Sequence, residues 1–223
     1  MHIEPGLVSP EKMLLAYATA TAAGGVTVKL AWDAIRERSL ASFAARSAMT
    51  TAAVLAFFEV FPHYPVGVSE VHLILGSTLL LIFGAAPAAI GLALGLLMQG
   101  LLFAPFDLPQ YAANVTTLLA PLFAIKLVAD RIVAPGTPYV DLRYRQALAL
   151  SATYQGGVVV WVGFWALYGQ GFGAENVAAI VTFGGAYMLV VLLEPLVDLA
   201  VLAGAKTMRG LSRTGLVTPR LYA

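Results

Sequence analysis

Long apolar runs alternate with short polar breaks along most of this chain. Runs of this length and hydrophobicity read as membrane spans. The pattern predicts seven helices, with cores over 11–32, 46–61, 70–85, 87–104, 111–131, 145–168 and 176–204. Each break has a local cause. Arg36-Glu37-Arg38 ends the first run, and Pro62, Pro65 and Gly67 end the second. A turn from Gly84 to Pro87 separates the third and fourth. Pro105, Asp107 and Pro109 follow the fourth, Pro135-Gly136-Thr137-Pro138 the fifth, and Gly169 through Gly173 the sixth. Proline and glycine are the residues that interrupt helical periodicity.

Charge adds a direction to these spans. Arg36, Arg38 and Arg46 flank the first loop, and Arg131, Arg143 and Arg145 the fifth. Lys206, Arg209, Arg213 and Arg220 lie in the tail, and Lys29 and Lys126 near the ends that feed the basic loops. The second, fourth and sixth loops hold no Lys or Arg, so of thirteen basic residues only Lys12 lies on the other side. Basic loops stay cytoplasmic. Seven spans then put the N-terminus outside and the tail in the cytoplasm. The expected architecture is all-α: a polytopic helical bundle in the plasma (inner) membrane, one transmembrane domain over 1–223. Within it, 1–10 is an N-terminal segment, 11–204 the bundle and 205–223 a cytoplasmic tail.

Composition agrees. The chain is 60% hydrophobic and 11% charged, with a mean hydropathy of +0.83, where soluble domains carry roughly 25% charged residues. A net charge of +1 gives no sign of nucleic-acid binding. There are no cysteines, which excludes disulfides and thiolate metal sites. Glu4, Pro5 and Pro10 near the start, without a basic leader, do not read as a cleavable signal. No Gly-rich loop ends in Gly-Lys-Ser/Thr, so no nucleotide-binding motif is present.

The polar residues then become informative. Met1-His2 brings together an α-amine, a backbone amide nitrogen and an imidazole, which can close two fused chelate rings on one ion. A fourth nitrogen would complete a square plane, the geometry of Ni(II) or Cu(II). The two other histidines, His63 and His72, lie around the second loop, on the same side as the N-terminus by the charge argument. His63 sits between prolines and reads as a solvated interfacial histidine. His72 begins the third predicted helix, either as a ligand or as a hydrogen-bonded helix-end residue. Gln99 and Asn114 fall in the outer parts of the fourth and fifth helices. Buried amides in lipid must be hydrogen-bonded. They either support a metal-bound imidazole or tie helices together. Glu59 and Glu70 can attract cations near the outer end, with Glu59 the more structural of the two. Glu194 and Asp198, one turn apart on the seventh helix, read as partners of cytoplasmic basic residues, with a cation exit site as the second reading. On the first helix, Ala16, Ala20 and Gly24 recur every four residues, as do Ala18 and Ala22. Such a face suits close helix packing, within the bundle or against a partner.

Taken together, these residues resemble the cobalt/nickel substrate-binding permeases of energy-coupling factor transporters, the CbiM/NikM family. The matching stretches are Met1-His2-Ile3 with Gly6, Pro65 through Leu73, Gln99-Gly100-Leu101-Leu102-Phe103 and Ala113-Asn114-Val115. The resemblance implies a square-planar site of four nitrogens, from the Met1 amine, the His2 amide and imidazole, and His72. It implies that Gln99 and Asn114, with Ser69 and Glu70, line or support that site. It implies that the Ala16, Ala20 and Gly24 face docks on a transmembrane coupling subunit. Further implied partners are a small accessory membrane subunit and cytoplasmic ATPase subunits. Co(II) or Ni(II) would be transported cargo, with no permanent cofactor. The chain departs from the family pattern at Glu4-Pro5-Gly6, at Ala104-Pro105-Phe106-Asp107, and at Thr117, where a second Asn is expected.

Three rivals stand beside this reading. An intramembrane metallo-enzyme would need a His-Glu-x-x-His pair or an Asp dyad at mid-membrane, and neither is present. A structural or assembly subunit without a ligand, or a carrier for another small substrate, would show the same hydropathy. The expected protein is therefore a transporter substrate-binding subunit without its own ATPase, not an enzyme.

Overall fold

The computed structural model describes residues 3–207. Met1 and His2 lie outside the described residues, as do Arg209, Arg213 and Arg220 of the tail. A one-turn 3₁₀ helix at Pro10–Lys12 leads into α1 (Met13–Glu37) and α2 (Leu40–Glu59). A short hairpin follows, β1 (Tyr64–Val66) and β2 (Ser69–Val71), and then α3 (Gly76–Phe83) and α4 (Ala85–Leu102). A 3₁₀ segment at Pro105–Gln110 enters α5 (Tyr111–Ile132), and another at Tyr139–Asp141 precedes α6 (Tyr144–Gln170) and α7 (Ala174–Thr207). Six of these helices are long and apolar enough to cross a membrane. Helices suit lipid because they close their backbone hydrogen bonds internally. The protein is an integral, multi-pass helical bundle.

The first loop is tighter than the sequence predicts. Helix α1 runs through Arg36 to Glu37, and α2 already begins at Leu40. Ser39 makes this possible, because its side-chain oxygen accepts the Ser42 N–H at 3.2 Å and caps α2. Helix α5 lies at the centre of the bundle, contacting α1, α4 and α6, with Ala113, Leu118, Leu122 and Ile125 fully buried. Helix α1 is peripheral, and Leu14, Tyr17, Val28 and Trp32 face outward.

Helices α2 and α4 pack closely through small residues. A Cβ added at Gly91 would stand 2.4 Å from Thr50 Cβ, and one at Gly95 would stand 2.6 Å from Val54 Cγ1. Removing side chains lets two backbones approach in lipid. Thr50 Oγ1 adds a 2.7 Å hydrogen bond to Pro87 O across the same contact.

The third predicted span is the main correction. Residues 70–85 do not form one helix: 69–71 are a strand, 72–75 are non-helical, and only 76–83 are helical. The segment still travels along the bundle. His72 packs edge-on against Phe58, near the end of α2, with ring centroids 4.6 Å apart. Phe83 O accepts Arg46 Nη1 at 2.8 Å, near the start of α2. Those two points on α2 lie about 18 Å apart at 1.5 Å per residue. Helix α3 supplies only about 12 Å of rise, so residues 72–75 provide the rest.

A broken crossing leaves backbone donors open, and α7 closes them. Glu194 is fully buried and accepts the Ile74 N–H at 2.9 Å and also the Leu75 N–H. Its other oxygen accepts Gln155 Nε2, and Gln155 Oε1 accepts the Tyr187 hydroxyl at 2.7 Å. One turn on, Asp198 accepts the hydroxyls of Ser77 and Thr78 in the first turn of α3. An unsatisfied amide in hydrocarbon costs several kcal/mol, so these bonds make the break tolerable. Where the sequence reading gave Glu194 and Asp198 cytoplasmic basic partners, the partners among the described residues are backbone, amide and hydroxyl groups. Leu75 adopts a left-handed conformation at φ 56° where the chain turns into α3.

Candidate metal-binding end

The N-terminal segment is built into the bundle end that carries His72. Ile3 pairs with Ser69 as an isolated antiparallel bridge beside the hairpin, and the Glu4 N–H donates to Val68 O at 3.1 Å. The Ile3 N–H donates to Asn114 Oδ1 at 2.9 Å, and Gln110 Nε2 donates to Glu4 O at 2.9 Å. Ile3 itself is fully buried. Farther along, Gln170 Nε2 donates to Leu7 O at 2.8 Å. A Cβ at Gly169 would stand 2.0 Å from Leu7 O, so only glycine lets the segment lie on the end of α6. Lys12 then caps α6, donating to Tyr168 O at 2.9 Å and Gly169 O at 2.8 Å. A cation suits the carbonyl end of a helix, which accounts for Lys12 at this end of the bundle.

The hairpin turn is equally constrained. Gly67 has φ +63°, and a Cβ there would stand 2.2 Å from Ala179 O. The turn therefore presses on α7 while β2 delivers the chain to His72. That imidazole is 2% exposed. Its Nδ1 lies 3.3 Å from Leu73 O, and a proton on Nδ1 leaves Nε2 as the basic nitrogen. His72 thus leaves a strand rather than starting a helix, a second correction to the sequence reading. His63 lies apart in the loop before β1, half-buried, with Nδ1 3.2 Å from Phe61 O.

Gln99 and Asn114 are both buried at this end. Asn114 is engaged by Ile3, while Gln99 Oε1 and Gln110 Oε1 accept no hydrogen bond among the described residues. Ser69 is fully buried opposite Ile3, and Glu70 pairs in register with Pro65. Glu4 and Glu70 lie close enough to interact: burial first, then the Glu70 charge, raises the Glu4 carboxyl above its ordinary range. Asp107, buried in the 3₁₀ segment before α5, feels both charges as well. The end is acidic, and an acidic mouth concentrates cations. Among the described residues no three His, Cys, Asp or Glu side chains come together as a metal cage. The nitrogen set expected from the sequence draws on Met1 and His2, outside the described residues.

Several participants escaped the sequence reading. Gln110, Gln170 and Phe58 carry no role in the reading of the sequence, and the structure gives each one. Only Gly169, in a Gly-rich break, carried a visible mark, and there it read simply as a turn. The Ala16, Ala20 and Gly24 face is placed inward: Ala16 is fully buried. Ala20 and Gly24 line a groove of about 420 Å³ between α1, α4 and α5. Ala18 and Ala22 are exposed.

Comparison with known proteins agrees with this architecture. A crystal structure of a transition metal transporter superposes with a TM-score of 0.61 at 19% identity, covering 96% of this chain and all (100%) of the other. A truncated transition metal transporter gives a TM-score of 0.56 at 20% identity, covering 92% and 99%. At such identities the likeness shows the fold alone. Among curated proteins no relative matches the chain. The family model described as the cobalt uptake substrate-specific transmembrane region matches residues 2–210. The chain therefore belongs to the CbiM family, as a membrane component of metal uptake.

Proposed function

We propose that this protein captures Co(II) or Ni(II) at the extracytoplasmic face and presents it for ATP-driven uptake by partner subunits of an energy-coupling factor transporter. The observation that carries the reading is the anchoring of Ile3. Its pairing with Ser69 ties the residue following Met1-His2 to the hairpin that leads into His72, and its hydrogen bond to Asn114 ties it to α5. The proposed ligands are the Met1 amine, the His2 amide and imidazole nitrogens, and His72. Asn114 positions the segment, and Gln99, Ser69 and Glu70 surround it. Four nitrogens in a plane favour Ni(II) and Cu(II), and Co(II) is compatible, so selection rests partly on metal availability. Binding must displace protons from the amine and the amide, so affinity rises with pH.

The basic ends of α1, α2, α5 and α6 face the cytoplasm in this reading. Transport energy comes from ATPase subunits, through a transmembrane coupling subunit and a small accessory subunit. Helix α1, the most peripheral of the six long helices, is the proposed docking element. Its Ala16 is already covered within the bundle, so Ala20 and Gly24 at the groove mouth make the contact. The deciding experiment is metal analysis of the full chain purified with a C-terminal tag. An N-terminal extension and His72→Ala should each weaken Ni(II) or Co(II) binding at least about 100-fold, roughly 2.7 kcal/mol, while His63→Ala should leave it unchanged. Binding that survives both changes excludes the site and favours a ligand-free assembly subunit.

A further inference from the structure

We infer that Glu194 is a positioning residue for His72, holding the imidazole in place from α7 through the backbone of the broken crossing. The inference rests on the metal-capture reading above. His72 is followed by non-helical backbone, and Ile74 and Leu75 turn from strand into α3. Among the described residues, no neighbouring strand and no helical turn of their own receives the N–H groups of these two residues. One carboxylate oxygen of Glu194, 120 residues away along the chain, accepts from Ile74 at 2.9 Å and also from Leu75. That carboxylate is itself oriented, because Gln155 donates to its second oxygen and Tyr187 donates to Gln155 at 2.7 Å. All three side chains are buried, so water is not there to take over these bonds.

The consequence for His72 is geometric. The strand pairing of β2 ends at Val71, which pairs with Tyr64. Beyond that residue the direction of the chain depends on its contact with Phe58 on one side and on Glu194 on the other. Releasing the two amides frees the segment immediately after His72 to seek other acceptors, and the imidazole moves with it. The hairpin turn rests on the same helix, at Ala179. Helix α7 therefore holds the His72 segment from both ends, and a displacement of α7 would reach the imidazole without touching it.

A glutamine at 194 tests whether hydrogen bonding or charge is the working property. Its single oxygen can still accept both amides. Its NH₂ would meet Gln155, whose amide can flip to present oxygen, with the Tyr187 oxygen then accepting. Glu194→Gln should therefore preserve the site, whereas Glu194→Ala should not.

The experiment titrates Ni(II) alone into the full chain carrying a C-terminal tag. It reads the dissociation constant, the visible absorption of square-planar Ni(II), and hydrogen exchange of a peptide covering residues 72–76. Glu194→Ala should weaken Ni(II) binding about 10- to 100-fold, the range for groups that orient a metal ligand. It should also alter the absorption band and speed exchange in that peptide, while Glu194→Gln stays within about threefold of wild type on that same scale. If Glu194→Ala does not fold, Glu194→Asp, which withdraws the carboxylate by one methylene and keeps its charge, should show the same losses. Folded Glu194→Ala or Glu194→Asp with wild-type affinity, spectrum and exchange would overturn the role. So would a Glu194→Gln variant as impaired as Glu194→Ala, because charge would then be the working property. A wild-type chain that binds no Ni(II) or Co(II) sinks the metal-capture reading itself, a result distinct from equal binding by wild type and variant.

Discussion

The α2–α4 contact and the broken crossing from His72 to Phe83 lie side by side and are held by opposite means. In the first, both helices satisfy their own backbones, and what remains to be settled is distance. Gly91 and Gly95 settle it by removing side chains, and one threonine hydroxyl crosses the contact. In the second, the backbone is open over four residues, and what must be settled is where its donors go. Glu194 on α7 takes the Ile74 and Leu75 donors, and Asp198 on the same helix takes the Ser77 and Thr78 hydroxyls just beyond them. A locally closed element tolerates loss of a polar contact and not added bulk. A locally open one should show the reverse.

That contrast can be broken by experiment. The largest effect is expected for Gly91→Leu, since the new Cβ alone would stand 2.4 Å from Thr50 Cβ and 2.8 Å from Thr50 backbone carbon. Overpacking of this kind costs about 3 kcal/mol or more where backbone blocks relaxation, and thermal unfolding in detergent should show it or a failure to fold. Asp198→Ala comes next. It leaves the Ser77 and Thr78 hydroxyls buried without their acceptor, at about 1–3 kcal/mol, while Asp198→Asn should recover part of that. Both can be read from the same unfolding measurement. Thr50→Val should be the mildest, near the ~0.6 kcal/mol average of interhelical hydrogen bonds in membranes. A Thr50→Val loss larger than that of Asp198→Ala would erase the distinction between the two regions.

The same contrast explains what could be read along the chain. Helices α4, α5, α6 and α7 stand close to their expected ranges, because each is an apolar run ended by proline, glycine or charge. The run over 70–85 is equally apolar, yet it is not one helix. Hydropathy reports that a segment is buried in lipid; it does not report which group accepts its amides. The acceptor for Ile74 is on α7, and nothing within the run marks it. The candidate site divides in the same way. His72, Gln99 and Asn114 stood out because polar groups are costly in lipid. Gln110 and Gln170 did not, because their roles exist only once the N-terminal segment lies against them, and Phe58 did not, because its role exists only once His72 packs on it.

The sequence by itself determined that this is a polytopic membrane bundle of the CbiM type, where most of the helices lie, and which polar residues had to be accounted for. Those follow from transfer free energies and local backbone preferences, which act along the chain. Only the tertiary structure decided that the third crossing is broken, that Ile3 is anchored by Asn114, and that Glu194 braces the segment after His72. Each depends on a hydrogen bond between residues more than a hundred positions apart. Such a bond forms only where the fold brings its two ends together, and local pattern carries no record of it.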